Sequence, residues 1–170
     1  MSEQAREIDV TNQNVADKAG KYLTFTLNNE EYGIGILTVK EIMGMMEITA
    51  VPKTPDFLKG VINLRGKVIP VINLRMKFGM EEIEYDERTC IIVVEVSSAK
   101  NRVQMGVIVD SVSEVLNITA EDIEPTPSFG TSLNTTFILG MAKTDEGVKI
   151  LLDIDRVLSE SELSALESAA

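Results

Sequence analysis

Phe57-Leu-Lys-Gly-Val-Ile-Asn-Leu-Arg-Gly-Lys-Val-Ile-Pro-Val-Ile-Asn-Leu-Arg75 is the stretch whose reading decides the fold. Two short apolar strands, Gly60–Leu64 and Val68–Ile72, meet across an Arg65-Gly66-Lys67 turn. The glycine supplies the positive φ that a tight reversal needs. Pro70 has no amide to donate, so its strand is expected at a sheet edge, or with that position on an unpaired side. Arg65/Lys67 and Arg75/Lys77 form two basic turns in an otherwise acidic chain. No reactive constellation is present in the stretch. It reads as part of a small β-barrel built for contact.

Upstream, Pro52-Lys-Thr-Pro55 forces a loop, because the residue before each proline is pushed out of the α region. Ile48–Val51 reads as extended, and Leu37–Met43 fits a helix and a bent strand equally well. Tyr22–Leu27 alternates, with Leu23, Phe25 and Leu27 on one face; Asn28-Asn29 then reads as a hairpin turn. The return strand Glu31–Ile36 groups Tyr32, Ile34 and Ile36, leaving Gly33 and Gly35 on a face that admits close approach. Residues 1–20 show no periodicity and read as a flexible tail.

Downstream, Asn73 can cap a short helix that Gly79 stops. Glu81–Arg88 is a polar link, and Thr89–Val96 is a continuous apolar run expected to be a strand buried on both faces. After a turn at Ser97–Asn101, Val103, Met105, Val107 and Val109 alternate along the next strand, and Glu121–Ser128 resembles the earlier proline loop. Ile138–Ala142 and Val148–Ile154 form a second hairpin across Thr144–Gly147. Ser159-Glu-Ser-Glu162 is a capping box opening a C-terminal helix, with Leu163 and Leu166 as a thin apolar stripe.

The second half echoes the first. At an offset of 73, Gly33, Val39 and Glu41 meet Gly106, Val112 and Glu114. At an offset of 80, Gly60 meets Gly140, Val71-Ile72 meets Leu151-Leu152, and Asn73-Leu74 meets Asp153-Ile154. The drift between offsets fits an insertion in a loop. The chain therefore reads as two related small barrels of about seventy residues, each marginal alone and expected to share a packed interface. A groove between two such barrels is a natural docking site.

Composition narrows the chemistry. With 44% hydrophobic and 25% charged residues the 170-residue chain is an ordinary globular one. A net charge of −11 opposes a nucleic-acid backbone as partner. The absence of tryptophan and an aromatic content of 5% oppose single-strand stacking platforms. No histidine occurs, which removes the commonest general base and every Ser-His or Cys-His pair. Gly33-x-Gly35 lacks the third glycine of a dinucleotide fingerprint, and neither a phosphate loop nor an acidic calcium loop is present. Cys90, the single cysteine, sits in an apolar run, is expected to be a buried core thiol and fits a reducing compartment. Met1–Lys18 lacks the basic-then-apolar pattern of a secretion signal, and no apolar run is long enough to span a bilayer. No cofactor or metal is expected, and membrane insertion is not expected.

Several of these motifs, in order, resemble the CheW family of bacterial chemotaxis coupling proteins. They are Glu31-Tyr-Gly-Ile-Gly-Ile-Leu-Thr-Val-Lys-Glu-Ile42, Val51-Pro-x-x-Pro55, the Phe57–Gly66 hairpin and Ile69-Pro-Val-Ile-Asn-Leu-Arg75. Gly106–Val115 and Val148–Ile154 continue the match, which runs from Lys21 to Ser161. The resemblance implies a mainly β fold of two SH3-like five-stranded barrels with short helices, spanning 21–161, followed by a C-terminal helix or tail over 162–170. It implies a non-catalytic adaptor that bridges chemoreceptor tips to the regulatory domain of the histidine kinase CheA, a domain of the same fold. Location would be cytoplasmic, with recruitment to membrane arrays through the receptors.

Carried over by motif, Val39, Glu41 and Ile42 match the family's Val-x-Glu-Ile step, and Gly60, Asn63, Arg65 and Gly66 match its hairpin. Ile36 and Val112 are added as candidates for the receptor groove and the kinase-facing surface. Core packing competes with contact at Val39, Ile42 and Val112, and turn geometry competes at Gly60 and Gly66. Arg65 is expected to pair with Glu41, holding the hairpin against the Val39–Ile42 segment. Two other readings stand beside the adaptor. One is a regulatory module of a larger kinase or a scaffold of another sensory pathway, against which the tail before Lys21 and the capped last helix argue. The other is a small hydrolase or ligand-binding barrel, which would need convergent carboxylates in a deep pocket.

Overall fold

The computed structural model describes residues 18–97, 102–126, 136–159 and 161–164. Strands β1 (Gly20–Leu27) and β2 (Glu30–Gly35) lead through a single 3-10 turn, Ile36–Thr38, into β3 (Val39–Gly44). Strands β4 (Leu58–Leu64) and β5 (Lys67–Asn73) follow, then helix α1 (Leu74–Lys77), β6 (Cys90–Ser97) and β7 (Arg102–Val109). The last part runs β8 (Ser111–Ile118), a 3-10 turn at Ala120–Asp122, β9 (Ile123–Glu124), β10 (Ile138–Thr144), β11 (Gly147–Leu152) and α2 (Ile154–Val157). They build two sheets, in the orders β8-β1-β2-β11-β10-β9 and β3-β6-β7-β5-β4. The fold is mainly β, as the alternation predicts.

The duplication is visible in the ladders. Gly33 on β2 lies opposite Leu151 on β11, and Gly106 on β7 lies opposite Val71 on β5, both in parallel pairings. These are one and the same register, because Gly33/Gly106 and Val71/Leu151 are the repeated positions. The amides of Asn73 and Asp153 donate to the carbonyls of Phe57 and Phe137 at 2.7 and 2.8 Å, again a matched pair. The sheets, however, are not the two sequence halves. The five-stranded sheet runs continuously from β3 to β7, and the six-stranded sheet combines β1–β2 with β8–β11. Each sheet thus takes strands from both copies of the repeat.

Each sheet is closed by the chain that follows its edge strand. Strands β8 and β9 occupy opposite edges of the six-stranded sheet and are joined through Ala120–Asp122. In the five-stranded sheet, Thr49, downstream of β3, makes an antiparallel bridge to Val61 on the far edge strand. The five-stranded sheet is consistent with the barrels that the family resemblance implies, whereas the other sheet has six strands rather than five, the two-residue β9 being its edge. The bridge brings backbone against backbone at Gly60, where φ is 144° and a Cβ would lie 2.0 Å from the Thr49 carbonyl oxygen.

The largest core draws on both sheets. Leu23, Phe25, Leu27, Tyr32 and Ile34 meet Ile72, Ile92, Val94, Val96, Met105, Val107 and Val109, with Leu74, Ile154, Val157, Leu158 and Leu163 closing the edges. Each sheet keeps a smaller cluster on its other face: Ile62, Ile69, Val71, Ile91, Val93 and Ile108 in one, and Tyr22, Ile118, Ile123, Ala142 and Leu151 in the other. Alternation along β6 shows the division, since Ile92 and Val94 join the shared core while Ile91 and Val93 join the local one. A clasp ties the two sheets at their junction. Arg75, on α1, donates to both carboxylate oxygens of Asp110 at 2.7 and 2.8 Å, and Asp110 also accepts the Asn28 amide at 2.8 Å.

Several expectations are refined by the structure. The ambiguous 37–43 segment is a 3-10 turn followed by a strand, because its backbone pairs with β6. Lys67 belongs to β5, so the hairpin turn is Arg65-Gly66 alone, with φ of 52° and 87°. Pro70 is not on an edge strand: β5 lies between β4 and β7. It sits opposite Val61, and the parallel ladder to β7 begins only at Val71, so its missing donor is on an unpaired stretch. Cys90 is half-buried at the start of β6 rather than in the core, and its thiol donates to the Arg88 carbonyl at 3.1 Å. The capping box is formed as expected. The Ser159 amide donates to Glu162 Oε1 at 2.8 Å, and the Glu162 amide donates to Ser159 Oγ at 3.2 Å. Leu166, most of the 1–20 tail, the turn past Ser97 and the second proline loop past Thr126 lie outside the described residues. No helix among the described residues is long and apolar enough to cross a membrane.

Candidate functional site

The β4–β5 turn is shaped by its own side chains. Two consecutive positive φ values give the turn whose twist suits a two-residue hairpin. Asn63 Oδ1 accepts the Gly66 amide at 2.8 Å and fixes the reversal. Arg65 then projects toward β3, where its Nη1 and Nη2 donate to Glu41 Oε1 and Oε2 at 3.1 and 2.6 Å. The pairing expected from the sequence is therefore present, in the bidentate form that fixes orientation as well as distance. Hydrogen bonds from Arg65, reinforced by its charge, hold the Glu41 carboxyl below its ordinary range.

Glu41, Ile42, Asn63, Arg65 and Gly66 thus gather at one end of the five-stranded sheet. Ile42, beside Glu41, is 44% exposed, and Val68, three residues past Arg65, is 48% exposed. Around them, Lys67 Nζ donates to Gln104 at 3.3 Å and Lys40 pairs with Glu95 at 3.0 Å. Ile42 on β3 and Val68 on β5 are thus two separate exposed apolar side chains, each beside charged neighbours.

The remaining candidates fall elsewhere. Ile36 sits in the 3-10 turn between the sheets, and Ile36, Val39 and Val112 are all half-buried against the shared core. Val112, on β8, pairs with Phe25 of β1 within the six-stranded sheet. Gly60 is buried under the Thr49 bridge, so its glycine requirement comes from backbone approach.

Sequence reasoning missed two exposed residues in the second copy. Val115 and Val148 are 48% and 57% exposed on β8 and β11. They are the repeat partners of Ile42 and Val68 at offsets of 73 and 80. The duplication could have found both by carrying the first pair forward. The charged neighbours differ, since Asp145 and Glu146 stand at the β10–β11 turn where Arg65 and Gly66 stand in the first copy. Lys149 is another departure. It is 3% exposed at the position of the core residue Ile69, and its ammonium is paired with Glu31.

A model of the CheW-like domain matches residues 21–162. The chain belongs to the CheW-like family. Among CheW relatives, the chemotaxis protein CheW of Klebsiella aerogenes is 45% identical over 150 residues, covering 88% of each chain. That of Thermotoga maritima is 34% identical over 146 residues, covering 84% of this chain and 90% of its own. The crystal structure of the scaffolding protein TtCheW from Thermoanaerobacter tengcongensis superposes with a TM-score of 0.73 at 38% identity. It covers 85% of this chain and 97% of that one. The CheW-like match includes the four exposed apolar residues, the Glu41–Arg65 pair and the repeat that relates them.

Proposed function

We propose that this protein is a non-catalytic adaptor that couples chemoreceptors to a CheA-type histidine kinase. The observation that carries the reading is family membership joined to geometry. One chain presents two repeat-related pairs of exposed apolar side chains, Ile42 with Val68 and Val115 with Val148, and differently charged turn residues in the two copies. Repeat-related residues set among different charges suit two different neighbours. The apolar side chains would supply affinity and their charged neighbours register. Such a protein transforms nothing. It changes the kinase's active population by binding one receptor-kinase arrangement better than another. Recruitment to the membrane would be indirect, through the receptors.

Calorimetric titration against the regulatory domain of the cognate CheA-type kinase tests the reading. One-to-one binding that is lost in Ile42→Lys or in Val148→Lys, with circular dichroism unchanged, is expected. No binding by the folded wild-type protein would overturn the kinase assignment. Gly60 is a poor probe, because a side chain there disturbs the fold before it reaches any partner.

A further inference from the structure

The two copies of the repeat differ in sulfur. Met43, Met45 and Met46 are half-buried and pack, with Ile48 and Leu64, on the local cluster of Ile62, Ile69, Val71, Ile91, Val93 and Ile108. The corresponding positions of the other copy hold Leu116, Ile118 and Thr119. Met43 lies at the end of the edge strand, opposite Ile91. Met45 and Met46 lie in the run that carries the chain from β3 to the Thr49–Val61 bridge, whose two amide bonds are both 2.9 Å. Three oxidisable thioethers are therefore set where the five-stranded sheet is closed, two to five residues from Glu41.

We propose that Met43, Met45 and Met46 form an oxidation site through which peroxide opens this closure and disables the neighbouring docking end. The step is a two-electron oxidation. A sulfur lone pair attacks hydrogen peroxide, an S–O bond forms as the O–O bond breaks, and the peroxide leaves as water. A dithiol-dependent reductase reverses it, taking the oxygen off as water and forming a disulfide in the reductant. The product matters because of where it sits. A sulfoxide is a polar acceptor, and the surface beneath these methionines is aliphatic, so burial becomes unfavourable without a donor to meet it. The segment lifts, the Thr49–Val61 bridge loses its support, and Glu41 and Ile42 lose their fixed placement. The six-stranded sheet has Leu116, Ile118 and Thr119 at the matching positions, and its own methionine, Met141, lies on β10 instead, so the corresponding segment there has no sulfur to oxidise.

The structural effect is independent of any partner; the consequence for docking rests on the function proposed above. Hydrogen peroxide is applied to the full chain, oxidised methionines are located by peptide mass spectrometry, and exchange of the Thr49 and Val61 amides is followed. Oxidation at 43, 45 and 46, ahead of fully buried Met105, should speed that exchange about tenfold. Methionine sulfoxide reductase should restore it. The M43L/M45L/M46L variant keeps the volume nearly constant and replaces each thioether by a hydrocarbon, so it should fold and resist the treatment at this segment. In calorimetry with the kinase regulatory domain, oxidised wild type should lose affinity about tenfold while the oxidised variant keeps it. Full oxidation at the three residues with unchanged Thr49 and Val61 exchange overturns the proposal. So does equal acceleration in the triple-leucine variant.

Discussion

Arg65 and Asp110 each anchor an ion pair, and their surroundings assign them different work. Arg65 is well exposed, so its pair with Glu41 is expected to set the register of the turn against β3 rather than to stabilise the chain. Since Arg65 lowers the Glu41 pKa, whatever the pair contributes is present above the unfolded carboxylate pKa and lost as pH falls through the folded one. Arg65→Glu and Glu41→Arg should each weaken kinase-domain binding, and the double swap should recover part of it. Titration of all four proteins decides this; a swap that recovers nothing shows that the two residues do not act together. The Arg75–Asp110 clasp is more enclosed, at 11% and 19% exposure. Burial by itself would raise the Asp110 carboxyl. The Arg75 hydrogen bond, the Asn28 amide and the Arg75 charge outweigh it and leave the group below its ordinary range. Its stabilisation is therefore complete above the unfolded carboxylate pKa and disappears as pH drops through the folded value. Asp110→Asn should cost about 2–3 kcal/mol in urea unfolding at neutral pH, and the loss should shrink in acid. An unchanged midpoint would remove the clasp from the account. Only the first pair was legible in the sequence, because Glu41 and Arg65 belong to adjoining motifs. Asp110 reaches Arg75 through the topology alone.

At the level of elements, local pattern and long-range pairing divide the outcome. The β1–β2 and β4–β5 hairpins were readable because Asn28-Asn29 and Arg65-Gly66 carry turn chemistry between alternating strands. The 37–43 segment was not. Val39 and Ile42 have helical spacing, but pairing of β3 with β6 from Val39↔Val94 to Gly44↔Cys90 overrides it. The two hairpin glycines separate local from long-range demands in the same way. Gly66 has open space around its Cβ position and needs only its φ of 87°; Gly60 has both a positive φ and the Thr49 oxygen at 2.0 Å. Gly66→Ala should therefore cost about 1 kcal/mol, and Gly60→Ala about 3 kcal/mol or more. Thermal unfolding of the two variants ranks them directly. If Gly60→Ala is the milder change, the bridge between Thr49 and Val61 is not what closes the sheet.

For the whole molecule, the question is which piece of chain is the folding unit. The repeat suggests two halves, and the residues matched at offsets of 73 and 80 are the same whether each half folds on itself or the halves exchange strands. Only the ladders distinguish the two, and Gly33↔Leu151 with Gly106↔Val71 shows exchange. That is why the sequence revealed the duplication without revealing its arrangement. A cut between the halves would divide both sheets. Residues 39–109 contain a whole five-stranded sheet with its own small cluster, yet that fragment would expose Ile72, Ile92, Val94, Val96, Met105, Val107 and Val109. Each of those side chains forfeits about 1.5–3 kcal/mol on exposure, against a total domain stability of about 5–15 kcal/mol. The shared core, rather than either sheet, must therefore carry the fold. The full chain is expected to unfold in one transition, coincident by far-ultraviolet dichroism and tyrosine fluorescence. The 39–109 fragment alone should be unfolded or aggregated. A monomeric fragment with a sharp unfolding transition would mean that the local cluster suffices, and that the two pairs of exposed residues could move independently of each other. With the shared core dominant they cannot: Ile42 and Val68 keep a fixed placement relative to Val115 and Val148, the placement that the proposed adaptor role would use to hold two partners in one arrangement.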